Sequence, residues 1–125
     1  MKSKALDKLG NFLMTRFRDR GIDHFDGLAG QHWQAHGLTS LQNDLATLTN
    51  EQRLIVRRAA IDTLDNAIHD LLFAIQENAD FENDIQIAVD GVNVVNESDG
   101  LHGELFGTDG WKHRFSKHGE PPAEP

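Results

Sequence analysis

Cysteine is absent from the 125 residues, which removes disulfide frameworks, thiolate metal sites and cysteine nucleophiles together. Tyrosine is absent as well, so nucleophilic catalysis would fall to Ser, Thr, Lys or a carboxylate, and no Ser has a His at a suggestive spacing. The chain contains no G-x-S-x-G, no G-x-x-x-x-G-K-[ST] and no G-x-G-x-x-G, so the common nucleophile and nucleotide sites are missing. No stretch approaches the ~18 apolar residues of a membrane span, and MKSKALDKLGNFLMTRFRDR lacks the apolar run and small-residue cleavage site of a signal peptide. A cytoplasmic setting is therefore the expectation. Internal repeats are lacking too, which sets array architectures aside.

Positive charge is scarce and unevenly placed. The formal net charge is -8; residues 1–20 carry six Lys or Arg against two Asp, whereas residues 77–110 carry nine Asp or Glu and no Lys or Arg. A nucleic-acid backbone is a poor partner for such a chain, because phosphate binding requires clustered cations.

What is present suits one domain. The length is near the commonest domain size, hydrophobic residues make up 38% of the chain, and seven Phe with two Trp supply bulky core material. From Ser3 to about Arg18, Leu6, Leu9, Phe12, Leu13 and Phe17 recur at helical spacing with Lys4, Lys8, Arg16 and Arg18 largely off the stripe. That pattern predicts an amphipathic helix docked on the core, with a membrane-surface helix as the rival. The Gly-, Asp- and His-rich text from Gly21 to Gly37 has no sustained period and reads as a loop with at most one helical turn, pinned by Phe25, Leu28 and Trp33. Leu41, Leu45 and Leu48 suggest a short helix entered through Thr39 or Ser40. Thr49 and Gln52 then stand at capping-box spacing before a run free of Pro and Gly, predicting a long central helix over about 49–78.

Beyond it the period changes from 3.6 to 2. Ile85, Ile87 and Val89 alternate, Asp90-Gly91 follows, and Val92 and Val94 resume, which predicts a β-hairpin over about 85–96 with Val89 facing Val92 and Ile87 facing Val94. In 98–117 four glycines interrupt any period; capped helical turns are favoured, with Leu101/Leu105 and Trp111/Phe115 on shared faces, over a second hairpin around Thr108-Asp109-Gly110. The expected fold class is α+β: a small helical domain around one long helix, then a hairpin and a short C-terminal cap. Residues 1–117 form the expected domain, and 118–125, with all three prolines, the expected disordered tail.

Three constellations invite chemistry, each with a plainer explanation. His32 and His36 lie four apart and would share a helix face, with His24 or Asp26 as further metal ligands, but the Glu of H-E-x-x-H is replaced by Trp33. Arg58, Asp62, Asp65 and His69 line one side of the long helix, as acid–base pairs or an ordinary salt-bridged face both require. His102, Glu104, His113 and His118 follow, near Asp99 and Asp109, at no spacing that a ligand set requires. No cofactor and no metal is called for.

The acidic block is the stronger feature. Asp80, Glu82, Asp84, Asp90, Glu97, Asp99, Glu104 and Asp109 flank the hairpin and project a negative potential there. Solubility accounts for this in part; a docking surface for a basic protein partner is the functional reading. Immunity and antitoxin-like inhibitors of basic bacterial toxins have the same general character. The rivals are a metal-binding protein or metal-dependent enzyme using His and Asp, and a homo-oligomeric structural component in which the basic first helix of one chain meets the acidic hairpin region of another.

Overall fold

A computed structural model describes residues 3–119. Its first element begins as the sequence indicates: Ser3 accepts a hydrogen bond from the Leu6 amide and opens α1 (Lys4–Leu13). A five-residue π-helical turn, Met14–Arg18, follows and leads without a break into α2 (Asp19–Ala29). The π turn widens the helix by one residue and rotates everything after it. Arg18 and Ile22 consequently point inward, as Met14 does in line with Leu6 and Gly10, each of the three at most 1% exposed, while Phe17 is 49% exposed and Phe12, before the turn, 61% exposed. Two expectations are corrected here. Phe12 and Phe17 lie off the core stripe that Arg18 joins, and most of the 21–37 loop is helix, its irregular part reduced to the segment after Ala29.

That segment is held by a side chain. Gln42 is buried in α3 (Thr39–Ala46) and clamps Trp33 from both sides, its Oε1 accepting from the Trp33 amide at 2.9 Å and its Nε2 donating to the Trp33 carbonyl at 2.7 Å. α4 (Asn50–Phe81) is the long helix, roughly 48 Å at 1.5 Å per residue. Its entry is the expected capping box: Thr49 Oγ1 accepts from the Gln52 amide and the Gln52 side chain accepts from the Thr49 amide.

The exit of α4 runs three residues past the expected end. Asn83 sits at φ +54°, and Asn78 Oδ1 accepts from the amides of Asp84 and Ile85 while its Nδ2 donates to Asp84. The hairpin is shorter than expected, with β1 (Ala88–Val89) antiparallel to β2 (Val92–Asn93). Its register is the expected one: Val89 opposes Val92, and the Val94 amide donates to the Ile87 carbonyl. Asp90 and Gly91 both take positive φ, as a two-residue turn of this kind requires. The chain then winds through short 3₁₀ turns at Val94–Glu97 and Leu101–Glu104 into α5 (Trp111–Phe115). Helical turns, not a second hairpin, form 98–117.

One cluster packs Leu6, Leu9 and Met14 against Ile68, Leu72 and Ile75 of α4, and Val94, Leu101, Leu105 and Trp111 close over it. Trp111 fits because position 10 is glycine; a Cβ there would lie 2.4 Å from the indole. A polar network runs beside this core. Arg18, wholly buried, donates to both oxygens of Asp65, at 2.5 and 3.2 Å, and Lys112 reaches the same carboxylate at 3.0 Å. Arg18 also donates to Ser116 Oγ and the His118 carbonyl, and Asp19 accepts from Ser116 and from the Lys117 amide. Residues 116–118 are thereby tied down, so His118 does not belong to a disordered tail; the rest of that expected tail, from residue 120, lies outside the described residues.

Candidate functional site

The hairpin and the turns after it decide where the acidic block goes, and they divide it into three. Asp80, Glu82 and Asp84 stay exposed around the end of α4, with Asp80 accepting from Gln76 and Asp84 from Asn78. Asp90, at the hairpin turn, reaches Lys8 of α1 at 2.7 Å. Glu97, Asp99, Glu104 and Asp109 converge on one open pocket of about 580 Å³, which Ser3, Leu6 and Arg114 complete. The sequence places these four residues over a span of thirteen positions; the 3₁₀ turns and α5 fold that span back across the start of α1.

Each wall of the pocket has a physical anchor. Val94 and Val95 are buried and carry Glu97 on the turn they begin; Ser3 Oγ donates to Glu97 at 3.0 Å. Leu101 is fully buried, its amide donating to Gln76 on α4, and Glu104 accepts from Ser98 Oγ at 2.6 Å. Asp109 precedes Gly110, where a Cβ would lie 2.3 Å from the Phe106 carbonyl oxygen, so only glycine permits the turn into α5. Arg114 stands 3.0 Å from Asp7 and 4.6 Å over the Phe115 ring. With Asp7 beside it, one guanidinium faces five carboxylates. Such a concavity suits the head of a Lys or Arg side chain, which several carboxylates hold better than one.

The histidine constellations do not assemble. His32 and His36 share no helix face: His32 lies in the irregular segment and His36 in a 3₁₀ turn, both exposed, with His24 stacked on Trp33 and His32 edge-on to it. Of the four residues on the long helix, Asp65 is committed to Arg18 and Lys112, and His69 contacts Asp70 and packs among Phe73, His102 and Phe106. The third group is dispersed, with Glu104 at the pocket, His102 edge-on to Phe73, His113 exposed and His118 on α2.

Sequence reasoning missed a different grouping. Asp23, Asp26 and His118 bring three ligand atoms within 4.8 Å of one another. Both carboxylates already have cationic neighbours: Asp23 meets Lys117 at 2.7 Å and His118 at 2.8 Å, and Asp26 takes a two-pronged contact from Arg57 at 2.8 and 3.2 Å. The Lys117 hydrogen bond, and after it that of His118, holds the Asp23 carboxyl below its ordinary value, and Asp23 in turn raises Lys117. The i, i+3 spacing of Asp23 and Asp26 was the available signal, hidden because that stretch read as loop. The other omission is Arg114 with Asp7; the resumption of positive charge at Lys112 and Arg114 just after the acidic block was the clue.

No protein-family model, curated protein or solved structure matches the chain. Among the described residues no helix is long and apolar enough to cross a membrane.

Proposed function

We propose that the chain is a non-catalytic docking protein for a basic protein partner, which inserts a Lys or Arg side chain among Glu97, Asp99, Glu104 and Asp109. The observation that carries the reading is the convergence of these four carboxylates on one pocket. Charge gathered in a concavity focuses the field and speeds encounter with an oppositely charged surface. Neutralising a basic toxin, as an immunity protein does, is the use that this surface fits best, since a nuclease or other nucleic-acid-binding toxin presents a cationic face.

The test pairs the wild type with a variant carrying Glu97→Gln, Asp99→Asn, Glu104→Gln and Asp109→Asn, used as baits in lysate of the source organism at low and high salt. A basic protein held by the wild type at low salt, and lost both at high salt and from the variant, supports the reading. Identical retention by the two baits refutes it.

A further inference from the structure

Large apolar side chains are uncovered at several points, Leu54 and Ile55 of α4 among them, and two such places adjoin. The first is the turn that ends α4. Phe81 is 82% exposed and Ile85 57% exposed, yet the turn between them is held: Asn78 takes the amides of Asp84 and Ile85 and donates to the Asp84 carboxylate, with Asn83 in the left-handed conformation that Asn tolerates. Two large apolar side chains are thus fixed in solvent, with Asp80, Glu82 and Asp84 around them. A flexible end would fold such residues away; a braced one displays them with their ordering cost already met.

The second place is a groove of about 590 Å³ between α1 and the hairpin. Leu9, Phe12, Ile87 and Val89 line it, and Lys8 and Arg16 stand among its walls. Phe12 is 61% exposed, on the side of α1 away from Leu6, six residues earlier. The groove is apolar with Arg16 at its rim, Lys8 being paired with Asp90, and the braced turn is apolar with an anionic rim. In apolar character and in charge each fits the other.

They do not meet within one chain, because Ile85 is only two residues from Ile87, roughly 7 Å of chain at full extension, and both ends of the turn remain exposed. We infer that the protein pairs with a second copy of itself, the Phe81–Ile85 turn of each copy seated in the α1–hairpin groove of the other. Adjacency of the two surfaces favours reciprocal closure about a two-fold axis, in which every contact is made twice. Doubling matters, since stable interfaces bury roughly 800 Å² per partner. Arg16 then faces Glu82 and its acidic neighbours across the contact. The acidic pocket at Glu97 and Glu104 is not part of this interface, so the pairing neither rests on the docking reading nor fails with it.

Sedimentation velocity from micromolar to near-millimolar protein tests the pairing, with the variants Phe81→Ala, Arg16→Glu and Glu82→Arg, all at exposed positions, and far-UV circular dichroism to confirm that each folds. The wild type is expected to dimerise, and each variant to weaken the dimer about tenfold or more. An equimolar mixture of Arg16→Glu and Glu82→Arg chains recovers it, because both reciprocal contacts in the mixed pair regain opposite charges. A wild type that stays monomeric throughout, an oligomer indifferent to Phe81→Ala, or single charge variants that do not rescue each other when mixed would overturn the inference.

Discussion

Removing the Asp65 carboxylate tests the burial of the polar network most directly. Arg18 is wholly buried and the Asp65 side chain is 9% exposed, so in Asp65→Ala the guanidinium loses both of its carboxylate bonds with no water to replace them. Stranding one partner of a buried pair costs about 3–5 kcal/mol, a large share of the roughly 5–15 kcal/mol that stabilises a domain. For a chain of this length, roughly 4 °C of melting temperature accompanies each kcal/mol, so a fall of roughly 12–20 °C is expected. Thermal melting measures that fall, and urea unfolding followed by circular dichroism and by Trp fluorescence measures the free energy; coincident transitions establish that one free energy describes the change.

A second variant separates stranded charge from lost packing. Arg18→Met combined with Asp65→Leu replaces the pair by apolar groups, an exchange that is often neutral in itself. Lys112, whose side chain is 19% exposed, can extend to solvent, and Ser116 keeps its bond to Asp19. The double variant is therefore expected to be more stable than Asp65→Ala. A loss under about 1 kcal/mol in Asp65→Ala would refute the reasoning, since it would mean that water reaches the guanidinium. A double variant no better than the single would place the cost in packing.

Two further outcomes follow from other parts of the fold. Gly110→Ala drives a Cβ to 2.3 Å from the Phe106 carbonyl oxygen, a backbone atom that cannot turn aside, whereas Gly103→Ala meets nothing within 4 Å; chemical denaturation should show about 1–3 kcal/mol lost at 110 and little change at 103, and equal effects would contradict the stated crowding. Asp23 is held below its ordinary value of 3.8 by Lys117 and His118. A depressed carboxyl stabilises the fold fully above that value and loses its contribution as pH falls through the lowered folded one, so the thermal deficit of Asp23→Asn should vanish under strong acid. Lys117, raised above 10.5, loses its share only as pH climbs through the raised value. A deficit that is undiminished in strong acid would remove the charged pair as its cause; the group is exposed, so the deficit is small and salt-sensitive.

Local rules made part of this molecule legible. Thr49 with Gln52, and Asp90-Gly91 between branched residues, each carry their own geometry in a few adjacent side chains, and both elements formed with the expected cap and register. The acidic residues were legible as a list but not as a site. Glu97 and Asp109 meet only because Val94, Leu101, Leu105 and Trp111 are drawn into one cluster with α1 and α4, and nothing in the local text between them encodes that return.

The π turn is the instructive failure. A period of 3.6 read from Leu6 onward assigns Phe17 to the core and Arg18 to solvent; one extra residue in the turn at Met14–Arg18 reverses the two. What drives the reversal is not in the helix. Asp65 lies 47 positions away, and the two-pronged contact that Arg18 makes with its buried carboxylate, beside Lys112, outweighs the exposure of a phenylalanine, a loss on the order of 2 kcal/mol. Satisfying that carboxylate from the π turn therefore turns Phe17 outward. Arg18→Met, which leaves the buried Asp65 carboxylate with Lys112 alone, should therefore lower the urea midpoint; an unchanged midpoint would contradict the role given to that contact.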